Sequence, residues 1–225
     1  MKTTNLKMNK EVSSSFNPYS DNSGTSLAFK QANYILVASD TRHSSEMGIN
    51  SRETSKIYKL GNFVLSTSGF HADGYDIYIK MMYELRNYES TNGKEMDIHS
   101  AARLLSITLY SKRFFPYYSY CCLSGFDGDT PVLYSYDPVG SYQSVDCRCT
   151  GSGAPMIQPL LDSIISKKNW ENCTVGPLEH EGAIQLVKKA FVAASERDVK
   201  TGDHLEIYLI TKDECTREIY NLRFD

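Results

Sequence analysis

No apolar run in this chain exceeds five residues, as in Tyr34 to Ala38, whereas a bilayer-spanning helix needs roughly 20. A membrane-spanning helix is therefore not expected. There is no excess of basic charge either. Against 24 Lys and Arg stand 27 Asp and Glu, a net charge of −3, which is not the footprint of a nucleic-acid binder. Among the six cysteines (Cys121, Cys122, Cys147, Cys149, Cys173 and Cys215) no pair has the C-x2-C spacing of a zinc knuckle, and the five histidines stand singly. No metal and no cofactor are expected, and the cysteines read as structural thiols. The start, MKTTNLKMNKEVSSS, has positive charges but no apolar stretch behind them, so it does not read as a secretory signal. Without secretion, disulfides and use of the Asn172-Cys173-Thr174 sequon are not expected. The only G-x-G, Gly151-Ser152-Gly153, lacks the third glycine of a dinucleotide-binding turn. The expectation is a soluble, intracellular, globular chain.

What is there suffices for a sizeable core: 225 residues, 41% of them hydrophobic. The first 22 residues are rich in Ser, Asn and Lys and read as unpacked, so residues 1–23 are set apart as an extension from a domain over 24–225. Short apolar runs then mark strands at 25–30 and 34–39, and at 57–60 and 63–67 around the Gly61-Asn62 turn. The period next becomes helical. Tyr75, Tyr78, Met82 and Leu85 form one stripe, Ile98, Ala102, Leu105 and Leu109 a second, and Ser90 to Gly93 a turn between them. Strands at 117–123 and 132–136 follow, joined by a turn over 125–129. Two more helices, around Ile157 to Ile164 and Ile184 to Ala194, precede a closing hairpin at 205–211 and 218–222. Strands, helix pair, strands, helix pair, strands is not the βαβ alternation of a parallel sheet. Two antiparallel sheets stacked face to face, with a helix pair on each outer face, bury every stripe. The fold class is α+β, a four-layer αββα sandwich.

Four polar stretches could carry chemistry. They are Ser23 to Ala28, Ala38 to Arg42, Lys56, and Glu196 to Asp203. Taken singly, each is a turn glycine, a strand-end aspartate, a solvated lysine or a charged loop. Taken together, Gly24-Thr25-Ser26-Leu27-Ala28, Ser39-Asp40-Thr41-Arg42, Lys56, Gly151-Ser152-Gly153 before a helix, and Arg197-Asp198 with Thr201-Gly202-Asp203 resemble, in order and spacing, the β subunits of the 20S proteasome. Tyr110 to Tyr118 and Tyr134 to Tyr142 resemble the sixth position of the β ring. The resemblance runs from Gly24 to the C-terminus and implies the N-terminal nucleophile hydrolase form of the sandwich. It also implies partners: α and β subunits in four stacked seven-membered rings, this chain once in each inner ring, in cytoplasm and nucleus, with neither nucleic acid nor membrane.

Active members of that family expose an N-terminal threonine whose own amine is the general base, and a neighbouring lysine, paired with an aspartate, keeps the amine neutral. In their pattern the aspartate lies sixteen and the lysine thirty-two residues after the nucleophile. Asp40 and Lys56 lie 16 and 32 residues after Gly24, but 15 and 31 after Thr25. In a strand a slip of one residue turns a side chain to the other face. The resemblance thus implies a vestigial site (Gly24, Asp40, Arg42, Lys56, Ser152, Asp198 and Thr201) with no nucleophile. The alternatives are an active threonine endopeptidase using Thr25, and a free-standing binding module using the aromatic stretch from Phe114 to Tyr120. Within that stretch Tyr118 and Tyr120 are expected on one face and Tyr117 and Ser119 on the other, with Phe115 and Tyr117 at a subunit boundary.

Overall fold

The computed structural model describes residues 17–22, 24–167 and 176–222. Cys173 and the sequon lie outside them. The first sheet has the order β10-β1-β2-β11-β12, from β10 (Cys147–Gly151), β1 (Thr25–Lys30), β2 (Ile35–Asp40), β11 (His204–Ile210) and β12 (Cys215–Asn221). The second has the order β5-β6-β7-β8-β9, from β5 (Ile57–Leu60), β6 (Phe63–Gly69), β7 (Ser119–Asp127), β8 (Thr130–Tyr136) and β9 (Tyr142–Ser144). Every pairing is antiparallel. A small hairpin, β3 (His43–Ser45) with β4 (Gly48–Ser51), stands apart.

Three apolar layers separate four structural ones. Ala28, Val37, Val64, Cys122 and Leu133 meet between the sheets. Leu65, Cys121 and Leu123 pack under α1 (His71–Asn92) and α2 (Ile98–Tyr110), against Ile77, Met81, Leu105 and Leu109. Leu27, Phe29, Leu36 and Leu205 pack under α3 (Ala154–Leu161) and α4 (His180–Ser195), against Val187 and Phe191. Both faces of the central strands are covered, which is why Ile35 to Ala38 reads as an unbroken apolar run instead of an alternating one. The four-layer αββα sandwich is the observed architecture.

Several boundaries differ from the sequence reading, each for a local reason. Ser90 to Asn92 are helical, and the turn begins only at Gly93, whose φ of 66° caps α1. The buried line of α1 is Gly74, Ile77 and Met81; Tyr78, Met82 and Leu85 flank it and Tyr75 is half exposed. A Cβ on Gly74 would meet Thr67 Oγ1 at 2.7 Å, so the smallest residue sets that face. Gly125 to Asp127 continue β7 instead of forming a turn. The four short strands β3, β4, β9 and β10 went unread because they are short and carry little apolar pattern.

The expectation of an unpacked start fails for residues 17–22. Tyr19 stacks on Phe115 at 5.4 Å and donates its hydroxyl to Pro116 O at 2.6 Å. Asp21 pairs with Lys200 at 2.8 Å. Tyr117 also departs from expectation: it lies in the core under α1, its hydroxyl donating to Asp76 at 2.8 Å. It is not available at a boundary, whereas Phe114 and Phe115 are exposed. The alternation itself holds, with Tyr118 and Tyr120 outward and Ser119 inward.

Candidate functional site

The stretches singled out in the sequence converge at the start of β1. Antiparallel pairing aligns β1 between β2 and β10, and β11 lies on the far side of β2. The end of β2 thereby delivers Asp40 beside the first peptide groups of β1. Asp40 is wholly buried and fully used: Oδ1 accepts from Thr25 N at 2.7 Å and Lys56 Nζ at 3.0 Å, while Oδ2 accepts from the N–H groups of Arg42 and Gly202, both at 3.2 Å. Burial raises the Asp40 carboxyl above its ordinary range, and the Lys56 ammonium with these N–H donors pulls the other way. Lys56 Nζ gives its remaining bonds to the carbonyls of Asp40 at 2.7 Å and Arg42 at 2.9 Å. Three acceptors for three protons leave this buried ammonium fully satisfied.

Gly24 sits directly on this pair. A Cβ placed on it would stand 2.5 Å from Lys56 Cε, 2.6 Å from Nζ and 2.7 Å from Asp40 Oδ1. Its φ of 89° lies in the region that favours glycine. Gly24→Ala should therefore cost about 1–3 kcal/mol for the backbone alone, before Lys56 is displaced from its three acceptors. Thermal unfolding of that variant checks the sign.

Thr25 faces a different set of groups. Its hydroxyl accepts from Gly153 N at 2.9 Å and lies 2.6 Å from Thr201 Oγ1. Thr201 donates its own proton to Asp198 Oδ2 at 2.6 Å, so the Thr25 proton must point toward Thr201. Ser152 Oγ donates to the same Asp198 oxygen at 2.5 Å, and Ser152 N bonds Gly24 O at 3.1 Å. Thr25 is wholly buried within a strand, and its nitrogen is a peptide amide already bound to Asp40.

Arg42 lies on the same side of the fold as part of a second buried system. Its Nε donates to Asp203 Oδ2 at 2.9 Å and Nη2 to Oδ1 at 3.2 Å, while Nη1 reaches Val199 O at 2.7 Å. Arg52, which is partly exposed, also pairs with Asp203. The sequence reading quoted Asp203 only as part of a motif, without a site role, and missed Arg52. It also missed Glu206, wholly buried on β11, which accepts from Arg217 Nε and Ser55 Oγ, both at 2.6 Å. A charged residue inside an otherwise apolar strand was the available signal for Glu206.

The cysteines among the described residues take no part in the site. Those within the described residues are free thiols, and burial pushes Cys121 up to about 12 and Cys122 to about 11.

A model of the family described as proteasome subunit matches residues 20–210. The chain belongs to the proteasome subunit family. Its relatives place it among the β subunits. It is 57% identical over 210 residues to the probable proteasome subunit beta type-6 of Encephalitozoon cuniculi, covering 93% of this chain and 72% of that protein. To proteasome subunit beta type-1-B of Carassius auratus it is 45% identical, over 95% of this chain and 91% of that one. To proteasome subunit beta type-6 of Saccharomyces cerevisiae it is 40% identical, over 96% and 95%. These matches extend across the convergent site and both helical layers, so the family covers the fold as well as the motifs.

Proposed function

We propose that this chain is a structural, non-catalytic β subunit of the 20S proteasome core, at the sixth position of the inner rings, and that Gly24 occupies the place of the missing nucleophile. The observation that carries this is the orientation of β1. The residue that looks onto the Lys56–Asp40 pair is Gly24, which has no hydroxyl, while the Thr25 hydroxyl is turned toward Thr201 and Asp198. Asp40, Lys56, Arg42, Asp198, Ser152 and Thr201 then serve folding: they hold the start of β1, the Gly151-Ser152-Gly153 turn and the loop after α4 together. The partners are neighbouring α and β subunits in stacked seven-membered rings, the setting is cytoplasm and nucleus, and no cofactor, nucleic acid or membrane is involved.

A chain without a nucleophile does not cut itself at residue 24, so its terminus is set by other proteases at exposed bonds. Residues 17–22 are tied down by Tyr19, Asp21 and Asn22. The mature N-terminus is therefore expected at or before residue 17. Intact-mass measurement of the subunit from purified particles reads this directly. A uniform terminus at Thr25, or labelling of Thr25 by an epoxyketone that captures N-terminal threonines, would establish the active rival instead.

A further inference from the structure

Beside Lys56 is a small, partly open pocket of about 10 Å3, lined by Asn22, His43, Lys56, Ser68, Phe70 and His71 among others. That is room for at most one water. Two polar atoms in this region, His43 Nε2 and Ser68 Oγ, are buried without a hydrogen-bond partner in the protein. The His43 and His71 rings lie 5.1 Å apart, tilted by 36°. The charged group acting on both is the Lys56 ammonium, and each ring lies in reach of the other. His71 Nε2 is 3.4 Å from the Tyr58 hydroxyl, Tyr75 stacks on the other side of His71, and the backbone of Ser55 is the one group that favours a proton there. Among the described residues no carboxylate acts on either ring. Burial first, and the Lys56 charge second, hold His43 below the ordinary imidazole range; for His71, burial is followed by His43 and then Lys56.

Asn22 ties the N-terminal segment across this cavity. Its Nδ2 donates to Ser44 O at 3.1 Å, its carbonyl accepts from Ser44 N at 3.4 Å, and its Oδ1 accepts from His71 N at 3.1 Å. The segment is thus fastened to the residue after His43 and to His71 itself. Asn22, on the segment that precedes β1, belongs to no strand or helix, so it can move without breaking a sheet or α1.

We propose that the His43–His71 pair is a proton-operated latch for residues 17–22. With both imidazoles neutral, Asn22 is docked against the pocket. A proton on either ring places a second cation beside Lys56 where one water at most can answer it. Lifting Asn22 lets solvent in and relieves that charge. The sign follows from linkage: the docked state disfavours the charged rings, so docking is complete above the ordinary imidazole value of about 6.5 and weakens as pH falls below it. The undocked population should grow roughly tenfold per pH unit for each histidine, until the docked rings themselves take up protons. The Asp21–Lys200 pair restrains the other end of the segment.

Amide hydrogen exchange of residues 17–24, in particles carrying the full chain, tests this between pH 7.5 and 5.0 after correction for intrinsic exchange. The expected result is increasing exposure below pH 6.5 that is flat in the His43→Gln/His71→Gln variant. A flat profile in the unmodified subunit, or the same rise in the variant, overturns the latch. Should the variant fail to assemble, exchange at the C2 position of each histidine in the unmodified particle decides instead. Midpoints below 6.5 for His43 and His71 together with the rise support the latch, and a midpoint at or above 6.5 for both sinks it.

Discussion

Lys56→Ala should cost the folded subunit about 3–5 kcal/mol and leave the peptidase activity of every particle that still assembles unchanged. The cost arises because Asp40 is wholly buried and keeps its environment when Lys56 goes. A buried carboxylate that loses its cation must either remain charged in a poor solvent or take up a proton, and both cost free energy. For a chain of this size each kcal/mol moves the melting temperature by roughly 2–4 °C, so the shift should be ~6–20 °C. An active threonine site would behave in the opposite manner, since its lysine tunes the general base. Turnover per assembled particle separates the two. An unchanged rate beside a large loss of stability is the structural signature, and loss of one peptidase activity from fully assembled particles would refute it.

That separation was legible in the sequence because strands count residues in twos. By the offsets that the family resemblance implies, Asp40 and Lys56 both point back to Gly24, and the pleat then turns Thr25 to the other face. The central strands and the second, third and fourth helices were equally readable, since burial between layers imposes period and composition over many residues. The strands β9 and β10 were not, because Tyr142 to Ser144 have few apolar residues and Cys147 to Gly151 turn only two cysteines, Cys147 and Cys149, to the core. Tyr117 was misplaced for another reason. An aromatic at a strand start has the same composition signal whether it enters the core or a boundary, and only Asp76 across α1 decides it. Asp203 was hidden inside a motif. It stands with Thr201 and Gly202 in a family pattern that gives it no role of its own, and its partners Arg42 and Arg52 lie more than 150 residues away in sequence.

Asp203→Asn should be the second severe substitution, costing about 3–5 kcal/mol, whereas Arg52→Ala should cost under about 1 kcal/mol. Asp203 is wholly buried and meets Arg42, itself 2% exposed, through two hydrogen bonds. Its φ of 68° is a left-handed conformation that asparagine adopts readily, so the substitution removes charge without adding backbone strain. Arg42 then stays buried, bound to Val199 O but without its carboxylate. Arg52 is 43% exposed and can turn its charge to water, which is why losing it matters less. The same pair predicts a pH response. Burial alone would raise the Asp203 carboxyl, but the hydrogen bonds and charges of Arg42 and Arg52 outweigh it and hold Asp203 below the ordinary carboxylate range. A carboxyl lowered by folding contributes its stability above the unfolded value of about 3.9 and loses it as pH falls through the folded value. The native chain should therefore lose this contribution only below about pH 4, and the Asp203→Asn variant, which starts less stable, should show a shallower acid limb there. Urea unfolding at fixed chain concentration between pH 7 and pH 3 measures both, and parallel acid limbs for the two proteins would rule out Asp203 as the group responsible.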